Sequence, residues 1–446
     1  MKLAFNHPHP RLQTPWNVTQ IGLLIFPLSP LVGGVSILLA ALRTCQVKYR
    51  AVIHSPLNWG FAFLSVLLFI SCSVADDKIQ AFLGLFNLLP FFLLFAGLST
   101  LIQTTAQLRQ IAIIFVIGSV PVVTMGFGQL FWGWSFQLQF LWILLDIGLD
   151  SGGNPPGRMA SIFMHANLFA AYLAIAFTLG IGLLLEQWLF KKDAMKKDAM
   201  NRVSTRYYVI FLTVSVITSF VALILTDSRN GWAIAIVACL AYALYQGWHL
   251  IIASFASVIT SVLLAAFAPL PIAEIFRRFV PAYFWARLND QMYPDRPVAL
   301  MRTTQWEFAW SLTQQRPWTG WGLRSFSDLY KAQMQIDLGH PHNLFLMLSA
   351  ETGLPSALLF FGCLAWIWLA GVQLLQKSKS LAKTDRLIIF SYIVVILQWA
   401  IFNTVDVSLF DFRLNTISWL FFSALSGVVY SSSRLNRYSE EFIDHR

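Results

Sequence analysis

The sequence predicts an all-α fold: a polytopic transmembrane helix bundle of eleven or twelve spans, with one large periplasmic loop containing short helices. Three observations predict it. Of the 446 residues, 57% are hydrophobic and 12% charged, which is more apolar surface than one soluble core encloses. The apolar residues are gathered into runs of about 20, the length an α-helix needs to cross the hydrocarbon of a bilayer. More than half of the 31 Lys and Arg fall in alternate connections between those runs, as expected where positive charge is retained on the cytoplasmic side.

In chain order, residues 1–17 lack the apolar core and small-residue cleavage site of a signal peptide, so the first hydrophobic run stays as an anchor. That run, Ile21 to Leu42, is interrupted by Pro27 and Pro30 and contains Gly33-Gly34; it reads as one kinked span or as two short half-spans in a hairpin. Ten further spans read at 57–75, 79–101, 110–131, 160–185, 207–226, 230–246, 250–270, 343–371, 387–404 and 413–432. The basic connections are Arg43/Lys48/Arg50, Arg109, Lys191 to Arg206, Lys377 to Arg386 and the tail from Arg434, so these face the cytoplasm of a bacterial inner membrane. The tandem pentapeptide KKDAMKKDAM at 191–200 is a solvated spacer in one of them.

The whole of 1–446 reads as a single integral membrane domain. Its longest extramembrane stretch, 269–342, falls on the outer side by alternation, and long loops escape the charge bias. Within it, Val298 to Gln314 repeats apolar residues at helical spacing between Pro297 and Pro317, which predicts a helix lying along the membrane surface.

Several classes are excluded early. The net charge of +10 belongs to topology, since no stripe of Lys and Arg interleaved with aromatics lies on a soluble domain, and no nucleic-acid partner is expected. Cys45, Cys72, Cys239 and Cys363 show no metal-binding or disulfide spacing. The 17 Trp and 38 Phe suit a lipid-solvated bundle and name no function.

Three polar elements are costly where they sit. Gly157-Arg158, followed by Phe163-Met164-His165-Ala166-Asn167, opens a span from outside, and Asn167 needs a hydrogen-bond partner inside the bundle. Thr226-Asp227-Ser228-Arg229-Asn230-Gly231-Trp232 breaks two apolar runs; Asn-Gly supplies a turn, and Arg229 needs an anion, either Asp227 or one from outside. The third is Gly339-His340-Pro341-His342-Asn343, which leads into a span. Two histidines invite a metal, but no third or fourth ligand stands at suitable spacing, so no metal or other cofactor is expected. Arg158, Arg229 and His342 fall on one side in a topology drawn from loop charge alone. Two arginines match the oxygens of a diphosphate, and a neutral histidine takes a proton from an attacking hydroxyl, so the set suits group transfer from a diphosphate donor.

These blocks, with Arg302, Trp306, Pro317-Trp318-Thr319-Gly320-Trp321-Gly322 and Glu351-Thr352-Gly353-Leu354, resemble the O-antigen ligase and O-antigen polymerase superfamily of lipopolysaccharide biosynthesis. The resemblance covers 157–419 and is most specific from Gly320 to Leu354. It implies a large outer loop over a lipid-accessible cavity, and metal-independent transfer of a glycan from undecaprenyl diphosphate to a hydroxyl. The acceptor is lipid A core, another glycan or, in a related branch, protein. Carried over by position, Arg158 and Arg229 hold the diphosphate and His342 activates the acceptor, with Asn343, Asn167, Arg302 and Asp227 binding substrate. Asn230 departs from the commoner pattern, which puts glycine directly after the arginine. The alternative is transport of a small anion such as bicarbonate, a label given to some superfamily members. The halves show no inverted repeat to support it, and the outer loop exceeds what a small anion needs.

Overall fold

A computed structural model of the chain describes residues 6–140, 145–163, 165–194, 200–289, 291, 297–377 and 381–444. The N-terminal run is a hairpin. Helices α1 (Gln13–Ile25) and α2 (Pro30–Val47) are separated at residues 26–29, where Pro27 and Pro30 end one helix and start the next. The two pack so closely that a Cβ on Gly33 would lie 2.7 Å from the Gly22 carbonyl oxygen.

The short α3 (Tyr49–Ile53) leads to α4 (Pro56–Ser73); α5 (Lys78–Gly84), α6 (Leu89–Leu101) and α7 (Thr105–Phe131) follow. Next come α8 (Ala166–Ala194), α9 (Met200–Leu225), α10 (Arg229–Gln246) and α11 (His249–Phe267). The stretch 269–342, expected as the outer loop, holds α12 (Leu270–Arg277), α13 (Ala282–Leu288), α14 (Arg302–Gln315) and α15 (Ser325–Met334), and α16 (Leu344–Thr352) follows it. The chain ends with α17 (Leu354–Lys377), α18 (Lys383–Phe402) and α19 (Phe412–Asp444).

Among the described residues, ten segments are long and apolar enough to span a membrane: α2, α4, Lys78–Leu101 (α5 with α6), α7, α8, α9, α11, α17, α18 and the first part of α19. The 18 residues of α10 rise about 27 Å, close to the hydrocarbon thickness, and join α9 to α11. The protein is therefore a multi-pass membrane helix bundle. Most of the pentapeptide repeat, 195–199, lies outside the described residues.

The two ends differ in chemistry. At one end His7 Nε2 lies 2.8 Å from the Leu101 carbonyl, and Arg109 donates to Glu186 at 2.6 Å and to Asp385 at 3.0 Å, tying α7, α8 and α18 together. This is the end of the basic connections. The other end carries 132–165, the turn at 226–228, the outer loop and the 403–411 connection.

Three sequence expectations change here. The 132–159 connection contains an antiparallel hairpin, β1 (Phe136–Phe140) and β2 (Leu145–Leu149), with Leu138 opposite Ile147; apolar residues alternate with Gln along FQLQF, the period of a strand. The expected span at 343–371 is two helices, because Gly353 takes φ +81° and Pro355 follows, so the long helix begins at Leu354 and α16 stands apart. The expected membrane-surface helix begins at Arg302, after a 3-10 turn at Val298–Leu300. Its apolar residues Phe308, Ala309 and Leu312 are buried against Phe326 and Tyr330 of α15 and Ala350 of α16, not presented outward. Exposed Leu270, Ile272 and Ile275 put the membrane-surface pattern on α12 instead.

The outer loop is seated by specific contacts. Arg316 stacks 3.8 Å from the Trp321 ring centroid and donates to Asp76 in the connection between α4 and α5. The amides of Trp321 and Gly322 donate to the carbonyls of Ala350 and Glu351 at 3.0 and 2.8 Å.

Candidate active site

The site is built from four interruptions between helices. Residues 158–165 precede α8, 226–228 separate α9 from α10, 340–343 precede α16, and 403–411 join α18 to α19. Each interruption leaves backbone donors and acceptors without helical partners, and several satisfy one another. The Met159 amide donates to Leu225 O at 2.9 Å, and the Leu344 amide to Asn403 O at 2.9 Å. The Ser408 amide and hydroxyl both donate to Asn403 Oδ1, at 3.0 and 3.1 Å.

The arginine turn is capped differently from the sequence expectation. Asn230-Gly231 does not form the turn. Asp227 takes the positive φ of +50°, and Ser228 caps α10 by accepting the Gly231 amide at 3.3 Å. Gly231 lies inside the first turn of α10 because a Cβ there would come 2.6 Å from the Ala170 Cβ of α8. Arg229 is thus the first residue of α10. Arg158 reaches the same turn, its Nε donating to Thr226 O at 2.8 Å, so the two arginines belong to one local structure. Asp227 accepts from the Tyr283 hydroxyl of α13, which also packs its ring against Trp232.

From Arg158 a chain of side-chain bonds runs across the bundle. Its Nη2 donates to Asn167 Oδ1 at 2.7 Å; Asn167 Nδ2 donates to Asp406 Oδ2 at 3.2 Å; and His342 Nδ1 lies 3.3 Å from Asp406 Oδ1. A carboxylate only accepts, so His342 Nδ1 donates, and in the neutral form of the ring Nε2 carries the lone pair. Asp406 is 5% exposed and also accepts the Val407 amide at 2.9 Å. Burial is the largest influence on this carboxyl and opposes its charge. The bond from His342, the nearby charges of His342 and His340, and the Val407 amide outweigh burial and hold it below the usual carboxylate range.

Other expected residues also find places. Asn343 caps α16, its Oδ1 accepting the Leu346 amide at 3.0 Å while its Nδ2 donates to Thr404 O at 3.0 Å. Arg302 opens α14 close enough for its charge to act on His340. The His340 imidazole is pushed down to about 4, first by burial, then by the His342 and Arg302 charges, with Asp406 opposing. Its Nδ1 accepts the His342 amide at 3.1 Å, which holds His342 at φ +51°. His165 repeats this arrangement, its Nδ1 accepting the Asn167 amide at 3.1 Å.

Asp406 is the residue that sequence reasoning missed, and it corrects the statement that no third metal ligand exists. Ligand atoms of His340, His342 and Asp406 lie within 4.8 Å of one another. The hydrogen bonds, however, place a proton on each histidine nitrogen that faces Asp406. His340 Nδ1 is occupied by an amide, so its Nε2–H points to Asp406 at 4.0 Å. A metal there would require His340 to release the His342 amide and His342 to move its proton to Nε2.

The O-antigen ligase family model matches residues 214–361. That stretch, about a third of the chain, includes Arg229, Arg302, His342 and Asn343, and it supports the resemblance of this multi-pass membrane chain to the O-antigen ligase and polymerase superfamily. Arg158, Asn167 and Asp406 lie outside the matched stretch. No curated protein matches the chain.

Proposed function

We propose that this protein transfers a glycan from an undecaprenyl-diphosphate carrier to a hydroxyl acceptor, either lipid A core or another glycan. The reaction takes place on the periplasmic face of the inner membrane and needs no metal. The observation that carries this reading is the continuous set from Arg158 through Asn167 and Asp406 to His342, which puts a phosphate-binding cation and an oriented base in one site.

The chemistry follows from the atoms. His342 Nε2 takes the proton of the acceptor hydroxyl while that oxygen attacks the anomeric carbon. The bond from that carbon to the phosphate oxygen breaks, and the diphosphate departs with the electron pair. Arg158 and Arg229 stabilise the charge that builds on it. Asp406 holds the proton on Nδ1 and stabilises the imidazolium that forms. Asn343 and His340 fix the backbone that presents His342, while Arg302 and Asp227 line the approach. The protonated nitrogens facing Asp406 support the metal-free reading. A bicarbonate transporter has no need of an oriented base.

The test uses purified, folded protein in detergent with a polyprenyl-diphosphate glycan and a hydroxyl acceptor. His342→Ala should lower the rate by roughly 10²- to 10⁴-fold and leave donor binding within a few-fold of native. Native activity should survive chelation. Full activity in His342→Ala, or complete loss with chelator, would overturn the mechanism. In cells, loss of the gene should leave unattached long chains on the carrier if the acceptor is lipid A core, or core bearing one repeat if it is another glycan. An unchanged lipopolysaccharide pattern would sink both.

A further inference from the structure

Asn167 was expected to bind substrate, yet its polar groups are used internally. The side-chain oxygen accepts from Arg158, the side-chain nitrogen donates to Asp406, and the backbone amide donates to His165. The orientation of this amide is not arbitrary. A cation attracts its oxygen and an anion attracts its nitrogen, so Arg158 and Asp406 fix the same dipole from opposite ends. No alternative flip satisfies either neighbour. The bond to Arg158, at 2.7 Å, is in the short range typical of charge-assisted contacts.

We propose that Asn167 is a positioning residue that couples donor loading at Arg158 to the orientation of His342 through Asp406. This rests on the proposed transfer reaction and adds an order to it. A diphosphate on Arg158 competes with Asn167 Oδ1 for the guanidinium and weakens the polarisation of the amide. The Nδ2–H then bonds less strongly to Asp406, whose lone pairs turn more fully to His342. The base is best aligned when a donor is present, and a hydroxyl is not activated in an empty site. Coupling of this kind is reciprocal, so a change at Asp406 must alter diphosphate binding at Arg158.

The experiment measures binding of polyprenyl diphosphate, without sugar, to full-length protein in detergent. Four proteins are compared: native, Asp406→Asn, Asn167→Ala and the double variant, each checked for a cooperative melt. With Asn167 present, Asp406→Asn should change the affinity by about fivefold, within the range for side chains in one network. With Asn167→Ala, the same substitution should change it less than about twofold. Asn167→Ala alone should lower kcat more than it raises the donor KM, and Asn167→Ser, folded and measured in parallel, should behave like the alanine. Equal shifts with and without Asn167 would show that Asp406 acts on the diphosphate through space alone, and would overturn the coupling while leaving the transfer reaction standing. Native protein that neither binds polyprenyl diphosphate nor transfers from it would overturn the transfer reaction itself.

Discussion

Asp406→Asn is the substitution whose outcome the geometry constrains most tightly. It keeps the shape of the side chain and removes one acceptor. Every group around the carboxylate is a donor: His342 Nδ1 at 3.3 Å and the Val407 amide at 2.9 Å on Oδ1, and Asn167 Nδ2 at 3.2 Å on Oδ2. The new NH2 must therefore face a donor wherever it is placed. Toward Asn167 it forces that amide to turn and breaks the bond to Arg158. Toward His342 it drives the imidazole to the other tautomer, with the proton on Nε2 and no lone pair for the acceptor hydroxyl. Because the site is buried, an unsatisfied donor costs about 1–3 kcal/mol, so the variant should fold with a modest loss of stability. The effect on rate should be much larger. Losing the correct tautomer of a general base lowers kcat by roughly 10³- to 10⁴-fold, and donor KM should move only a few-fold. The assay is transfer from a polyprenyl-diphosphate glycan by purified protein, with a thermal melt as the folding control. A folded Asp406→Asn variant within about threefold of native kcat would refute the reasoning.

Three other outcomes are expected. Arg229→Lys keeps the charge but loses the planar two-point contact with phosphate oxygens, so transfer should fall at least about tenfold; native activity would show that charge alone suffices. His340 is held down to about 4 in the folded protein against 6.5 for a free imidazole, so its contribution to stability is present above pH 6.5 and is lost as pH falls toward 4. The loss amounts to about 3 kcal/mol, and His340→Asn, whose Oδ1 can accept the same amide, should flatten the fall in melting temperature across that window. For sidedness, single cysteines at Ser151 and at the exposed Asp328 in a cysteine-free background should label from outside intact cells and one at Ser378 should not; labelling at Ser378 alone would invert the topology.

Much of the fold was legible because lipid imposes strong rules on sequence. Runs of about 20 apolar residues and alternating loop charge lead directly to the long helices, and Pro27 with Pro30 left the hairpin open as one of two readings. What escaped was local and set by close approach. The division at Gly353 depends on a left-handed backbone where a Cβ would lie 2.4 Å from the Trp318 carbonyl oxygen, a contact between segments 35 residues apart in sequence. The burial of α14 under α15 and α16 could not be told from membrane contact by periodicity, since both require one apolar face. In the site, Arg158, Arg229 and His342 stood out because charged or titratable groups at span ends are rare. Asp406 did not, because Asn403 to Asp411 reads as an ordinary polar connection. A carboxylate that orients a histidine 64 residues away leaves no local mark in the chain. The one available signal was that Asn167 and His342 both required a buried partner, and a single aspartate at the end of a neighbouring span could serve both.

The position of the site also explains why a bundle tolerates it. A polar group within hydrocarbon is costly unless it is bonded, and the four chain interruptions solve this jointly by converging at one end of the bundle. Asn403 illustrates the economy: its side chain accepts two donors from Ser408, and its carbonyl accepts the Leu344 amide beside His342. Asp406, three residues on, is therefore held relative to His342 by backbone contacts as well as by the hydrogen bond between them. The arginine turn bears Tyr283 of α13 through Asp227, which attaches that side of the site to an element outside the four interruptions. Arg158 is bonded to that same turn and, through Asn167, to Asp406, so a change on the arginine side reaches the carboxylate that orients His342.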